Sequence, residues 1–281
     1  MSELWLRTVK ATFEGDGGTL EVEKLRMSFR VSKSLSGSPN TAEIKIYNLS
    51  KENRYKIKRE FDKATLEAGH VRAGNRGVIF NGFVRDVRHT RESTDIVTTV
   101  ECGDGDEGYR KGVISKTYPA GATPKEMIDD LLEAMPEVDR GVIEGLDDLP
   151  AYPRPVTMYG SVVDELDKIG RTHQLYWSVQ DGALEVIRGK RAIDEVVVIS
   201  QSSGMIGVPD ITDNGIQVEV LLNPELRIGR TIEVRSEVLE MNDEQGRFRI
   251  SSLEFVGGNR ENQFFARIHG ERIEDGEVQE E

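Results

Sequence analysis

The chain has 281 residues, 50 Asp and Glu against 37 Lys and Arg, and a formal net charge of -13. An average field of that sign repels phosphate and argues against a duplex-binding domain, which works by displacing counterions with clustered Lys and Arg. The longest apolar runs, such as Val196–Ile199, are too short to cross a bilayer. The opening residues MSELWLRTVK lack the pattern of a secretory signal, and the single cysteine, Cys102, excludes an intrachain disulfide.

A length of this order predicts two or three domains. Region 1–118 reads as β-rich. Ala42, Ile44 and Ile46 alternate with Glu43, Lys45 and Tyr47, the pattern of a half-buried strand. Ser50 then reads as a helix N-cap, with a short helix to about Arg59. Asn48-Leu49-Ser50 spells a glycosylation sequon, but without a secretory context the segment reads as a strand-to-helix joint. Strands are expected over Ala64–Val71 and Val78–Arg88, separated by the turn Gly74-Asn75-Arg76-Gly77. A further strand is expected over Thr94–Cys102, with Ile96, Thr98, Val100 and Cys102 on one face.

Region 119–192 changes character. Thr123-Pro124-Lys125-Glu126 is a capping box with proline in the first turn, and it opens a helix presenting Met127, Ile128 and Leu131 to a core and ending at Pro136. A second helix is expected after Ser161, with Val162, Leu166 and Ile169 inward. Leu175, Trp177 and Val179, then Asp181-Gly182, then Leu184 and Val186 predict a tight hairpin. Region 193–273 is β-rich again. Ile216 to Leu222 alternate, and so do Ile232, Val234, Ser236 and Val238. Turns are expected at Asn223-Pro224 and from Asn242 to Gly246, and a strand from Phe248 to Phe255 is broken by an irregularity near Ser251. The acidic tail from Glu271 to Glu281 is expected to fray.

Reactive chemistry finds little support. Gly103-Asp104-Gly105-Asp106-Glu107-Gly108 spells G-x-G-x-x-G, but the following YRKGVISK gives no helix signal, and three acids would face a phosphate. The same loop fails the EF-hand spacing at Gly108, Tyr109 and Ser115. His70, His89, His173 and His269 are scattered, and Cys102 lies on an apolar strand face. Ser202-Ser203-Gly204 lacks the first glycine of a nucleophile elbow. No catalytic, cofactor-binding or metal-ligating residue is nominated, and no interface residue can be assigned.

Four stretches nevertheless carry a resemblance: SPNTAEIKIYNLS from Ser38, GVIFNGFVRDV from Gly77, DELDKIGRTHQLYWSVQDGALEVI from Asp164, and GMIGVP from Gly204 with VEVLLNPELRIGRTIEVRSE from Val218. In order and spacing the chain resembles the baseplate hub, or late-control D, family of contractile bacteriophage tails. The resemblance implies a mainly β chain with two tail-tube-like β-barrels, at 1–118 and 193–273, a small α+β domain of two helices and a hairpin at 119–192, and an acidic tail at 274–281. It also implies a structural virion protein without cofactor or catalytic residues, assembled in the host cytoplasm. Three copies would form a pseudo-sixfold ring joining the tail tube, or a tube-initiator protein, to the trimeric central spike beside other baseplate subunits. DNA would pass through the channel without specific binding, and nothing would insert into a membrane. The acidic excess suggests a lumen that repels phosphate. The alternatives are the hub of a related contractile injection system, a tail-associated cell-wall hydrolase, which needs converging carboxylates, and a carbohydrate-binding module, which needs exposed aromatic platforms.

Overall fold

The computed structural model describes residues 6–71, 74–189, 192–212, 215–236 and 246–273. It is mainly β and divides into two compact units. One takes in the described residues of 1–34, 40–104 and 192–273, the other those of 35–39 and 105–191. These lines differ from the three expected regions: the first and third belong to one unit, and the segment 105–118 belongs with the middle.

In the first unit the amino-terminal strands are β1 (Arg7–Gly15), β2 (Gly18–Val22), β3 (Met27–Ser34), β4 (Thr41–Tyr47), β5 (Lys63–His70), β6 (Gly77–Glu92) and β7 (Asp95–Gly103), with helix α1 (Lys51–Arg59) after β4. The alternation read in β4 is realised, since Ala42, Ile44 and Ile46 are buried. The joint after it forms as its residues dictate. Ser50 Oγ accepts the Asn53 N–H at 3.2 Å, and Leu49 is buried.

The second unit contributes helix α2 (Asp106–Lys111), β8 (Val113–Tyr118), α3 (Pro124–Glu133), β9 (Asp139–Ile143), β10 (Val156–Ser161), α4 (Val162–His173), β11 (Leu175–Gln180) and β12 (Ala183–Arg188). Both halves of the capping box at α3 are made: Glu126 N–H to Thr123 Oγ1 at 3.3 Å, and Thr123 N–H to Glu126 Oε2 at 2.9 Å. The hairpin β11–β12 turns at Asp181 and Gly182, whose φ values of 54° and 89° are what a two-residue turn of this hand needs. β9 adds in parallel to β12, and β8 pairs with β10 as a separate ribbon. Met127, Leu131, Leu166, Ile169 and Trp177 form the core. Trp177 donates from Nε1 to Asp167 Oδ1 at 2.9 Å, and a Cβ on Gly37 would meet its ring at 2.5 Å, so the residue at 37 must be small.

The chain returns to the first unit with β13 (Ile193–Ile199), β14 (Met205–Thr212), β15 (Gly215–Leu221), β16 (Arg230–Val234), β17 (Arg247–Gly258) and β18 (Phe264–Arg272). All described strands of this unit join one 13-stranded sheet in the order β14-β15-β18-β17-β3-β4-β7-β6-β5-β1-β2, with β16 also on β17 and β13 on β16. The expected irregularity is present: the β17–β18 register shifts between Ile250 and Ser252. Among the described residues no pairing closes the sheet into a barrel.

Two expectations need correction. A helix, α2, does follow the glycine-rich loop; at six residues it is too short to display a 3.6-residue apolar period. Glu271 and Arg272, assigned to the fraying tail, are the end of β18, where Glu271 Oε2 accepts from the buried Arg249 guanidinium at 2.7 Å. Val238, residues 242–245 of the expected turn and the tail 274–281 lie outside the described residues.

Candidate assembly edges

A sheet that does not close has edges, and an edge strand offers unpaired backbone groups to other chains unless something defends it. Here the edges differ in chemistry. β2, at one end, pairs among the described residues only with β1 and carries exposed polar positions, among them Glu21, which binds Lys10 at 2.6 Å. Charge of this kind is the usual defence.

β13 and β14 expose more apolar surface, although β14 also carries the exposed Asp210. Among the described residues β14 pairs only with β15, and it leaves Ile206, Val208 and Ile211 exposed by 39%, 55% and 39%. Its register shifts between Ile206 and Asp210, taking Gly207-Val208-Pro209 off the ladder and aiming Val208 outward. Among the described residues β13 pairs only with β16, in parallel, and it exposes Val196 by 50% and Val198 by 38%. Beside β13 runs a groove of about 270 Å³, lined by Val196, Val198, Val220, Asn223 and Leu226 among others. The first unit therefore carries apolar side chains on two strands that each, among the described residues, lack a neighbour on one side. In the second unit the ribbon β8–β10 exposes Val113 by 68% and Tyr159 by 79%, flanked by Thr117 and Thr157, whose hydroxyls lie 3.0 Å apart. The sequence marked Val196–Ile199 only as an apolar run, the same signature a fully buried strand would give.

The chemical candidates dissolve into structure. In the glycine-rich loop a Cβ on Gly105 would meet Val179 at 2.9 Å and one on Gly108 would meet Val138 at 2.6 Å, so these glycines answer to packing. Asp104 is buried with Asn40, whose Nδ2 lies 3.4 Å from Asp104 Oδ2. Asn48 has φ 58°; its amide donates to Asp95 Oδ1 at 2.9 Å and accepts the Ile96 N–H at 3.0 Å, so the sequon nitrogen is engaged in the joint. Ser200 and Ser203 cap each other's backbone around a 3-10 turn. Cys102 is buried. His70 is buried, His89 lies 3.2 Å from Thr98 Oγ1, and His173 lies 3.0 Å from the Tyr152 hydroxyl. Among the described residues no three His, Cys, Asp or Glu side chains converge as a metal site.

One hollow gathers carboxylates. It is an open depression of about 600 Å³ lined by Lys116, Tyr118, Glu126, Asp129 and Asp130. Asp130 accepts from Lys116 Nζ at 2.6 Å and from the Tyr118 hydroxyl at 2.7 Å, and the Lys116 bond above all holds its pKa below the ordinary value. Burial first, and Asp130 second, push the Tyr118 hydroxyl up. Asp129 is held by Arg140 at 2.7 Å. A glycoside hydrolase needs one carboxyl raised to serve as acid; Asp130 is displaced the other way.

Comparison with known proteins decides the family. The family described as baseplate hub gp41 matches residues 8–270. The chain belongs to that family. The hub is thus a structural tail protein of bacteriophage type, a virion baseplate component. No curated protein matches it in sequence. In fold the hub is similar to the 43 kDa tail protein of prophage MuSo2 from Shewanella oneidensis, with a TM-score of 0.64 at 10% identity, covering 94% of this chain and 98% of that one. It is similar also to the tail protein from Neisseria meningitidis MC58, with a TM-score of 0.65 at 10% identity, covering 95% and 97%. A third similar structure is the Escherichia coli c3393 protein, a component of the type VI secretion system with structural similarity to the T4 tail proteins gp27 and gp5. Its TM-score is 0.62 at 9% identity, with 89% and 74% covered. At such identities the likeness concerns the fold.

Proposed function

We propose that this chain is the structural hub of a contractile-tail baseplate, acting by fit and without catalysis. Three copies form a pseudo-sixfold ring that joins the hexameric tail tube to the trimeric central spike and contributes part of the DNA channel. The observation that carries the reading is the two edge strands β13 and β14, each paired on one side only among the described residues, with their exposed Val196, Val198, Ile206, Val208 and Ile211. An edge of that kind is an aggregation hazard in a monomer and an asset in a ring, where a neighbour covers it. The two halves of the sheet, β1–β7 and β13–β18, act as two tube-like barrels per chain, and three chains supply six. The net charge of -13 supports a bore that repels DNA and lets it pass. Family membership supports the spike and tube as partners.

A related role as the hub of a secretion machine is favoured by the fold likeness to the type VI secretion component; it would keep the ring and change the cargo. The test is mass and symmetry in solution, by light scattering with averaged electron micrographs, with and without the spike. A three-chain ring with six similar lobes is expected. A chain that stays monomeric in both conditions overturns the reading.

A further inference from the structure

Helix α1 departs from the charge habit of the rest of the chain. It carries Lys51, Arg54, Lys56, Lys58 and Arg59 against one acid, Glu52, which pairs with Lys56 at 3.0 Å. Cations on the other helices find carboxylates: Arg110 and Lys111 bind Glu107, Lys168 binds Glu165, and Arg171 binds Asp167. Among the described residues, Lys51, Arg54, Lys58 and Arg59 have no carboxylate partner. Arg54 Nε is shielded from water without a hydrogen-bond acceptor. Arg54 and Lys58, one turn apart, act on the same β6 residue, His89, whose pKa is lowered first by burial and then by these two charges. Tyr55 between them is 62% exposed. Like charges at this spacing destabilise a helix by about 0.2–0.5 kcal/mol per pair, so their retention in an acidic chain points to something outside the chain that neutralises them.

The chain also holds the complement. Residues 121–150 contain nine acids and two bases. Asp129, Asp130 and Asp147 are paired with Arg140, Lys116 and Lys125. Glu133, Asp139, Glu144 and Asp148 are exposed and, among the described residues, have no cationic partner. We infer that α1 is a cationic docking surface for the acidic α3–β9 stretch of a second copy of this chain. The inference rests on the ring reading and names one of its seams. The two patches differ, so the contact is heterologous, the kind that propagates around an axis and closes a ring. A duplex would meet the same four cations but be repelled by the rest of a chain of charge -13, which favours the second copy.

The test is a charge swap in the full chain, read by sedimentation equilibrium. Raising salt from about 0.1 M to about 1 M shortens the screening length from about 10 Å to about 3 Å and should weaken association of the unaltered chain. Arg54→Glu with Lys58→Glu should weaken it by about tenfold or more, as should Glu133→Lys with Asp139→Lys, and the four changes together should restore it. Lys58, Glu133 and Asp139 are exposed and Arg54 is half-buried, so circular dichroism and thermal melts should change little. Association indifferent to either reversal, or a combined variant no better than its parents, overturns the inference while the ring reading stands. Loss of binding to a short duplex in Arg54→Glu/Lys58→Glu with association intact overturns it in favour of nucleic acid. A chain monomeric under every condition removes ring and seam together.

Discussion

If β14 is a seam, making it polar should loosen the assembly and leave the subunit folded. The perturbation is Ile206→Thr, Val208→Thr and Ile211→Thr, which keeps β-branched residues in the strand and removes apolar surface. Full burial of a Val or Ile side chain is worth about 1.5–3 kcal/mol. Ile206, Val208 and Ile211 are 39%, 55% and 39% exposed, so covering what remains gains on the order of 1 kcal/mol each. The triple variant should forfeit roughly 2–3 kcal/mol per seam, about 30- to 140-fold in the association constant at about 1.4 kcal/mol per decade. Sedimentation equilibrium over a dilution series reads this directly. The melt of the subunit should change little, since surface substitutions away from special features stay within about 0.5 kcal/mol. A matching change on the charged edge, Thr19→Lys in β2, should leave association unaltered. Unchanged association in the triple variant, or an equal loss in Thr19→Lys, would refute the assignment of β14.

Three further outcomes follow from the interior of the subunit. Asn48→Ala removes two exposed hydrogen bonds, to Asp95 and Ile96, worth about 0.5 kcal/mol each at the low end, and places a Cβ residue in the left-handed region at about 1 kcal/mol. Urea unfolding should show a loss near 2 kcal/mol, and a loss below about 0.5 kcal/mol would end the view of Asn48 as a joint. Glu271→Ala takes the carboxylate from the buried Arg249; because Glu271 is 44% exposed and water can replace it, the cost should be about 1–2 kcal/mol, and a neutral result would mean that the end of β18 contributes nothing. His70 is buried beside the Phe264 ring at 5.2 Å, and burial first, then Arg7, lowers its pKa. A lowered histidine leaves stability whole above its unfolded value near 6.5 and removes it as pH falls from there toward the folded value. Between about pH 7.5 and pH 5 the unaltered chain should therefore lose more stability than His70→Gln, and parallel curves would contradict this.

What the sequence disclosed was local. The alternation of β4, the Ser50 cap, the Thr123–Glu126 box, the Asp181-Gly182 turn and the break near Ser251 each depend on residues within a few positions of one another, where sterics and hydrogen bonding act without reference to the fold. Non-local pairing was hidden. β8 and β10 meet as Val113 opposite Ser161, and β9 joins β12 in parallel, with nothing in either segment naming its partner. The regular alternation read over Ile232 and Val234 was also incomplete, because all five residues of β16 are buried between β13 and β17. The edges were least legible. Val196 and Val198 are exposed on a strand that, among the described residues, pairs on one side only, and which strand lies at an edge leaves no mark on its own sequence.

β17 explains why regions distant in sequence form one body. On one side it pairs with β18 over most of its length. On the other it holds β16 at Arg247–Arg249 and then β3 at Ser252–Gly258. The change of partner falls at the register shift between Ile250 and Ser252, where Ser251 leaves the ladder and its hydroxyl donates to His269 O at 3.2 Å. An extra residue bends a strand and tightens its twist, so the chain that leaves β16 can be turned onto β3. The two halves are thereby joined through backbone hydrogen bonds across a shared strand, a junction with one register, and a one-residue slip would turn Leu253 and Phe255 away from the core. In the proposed ring that matters more than any single side chain. Six lobes keep even spacing only if the two in each chain cannot slide, and the bulge at Ser251 is where the sequence builds that constraint.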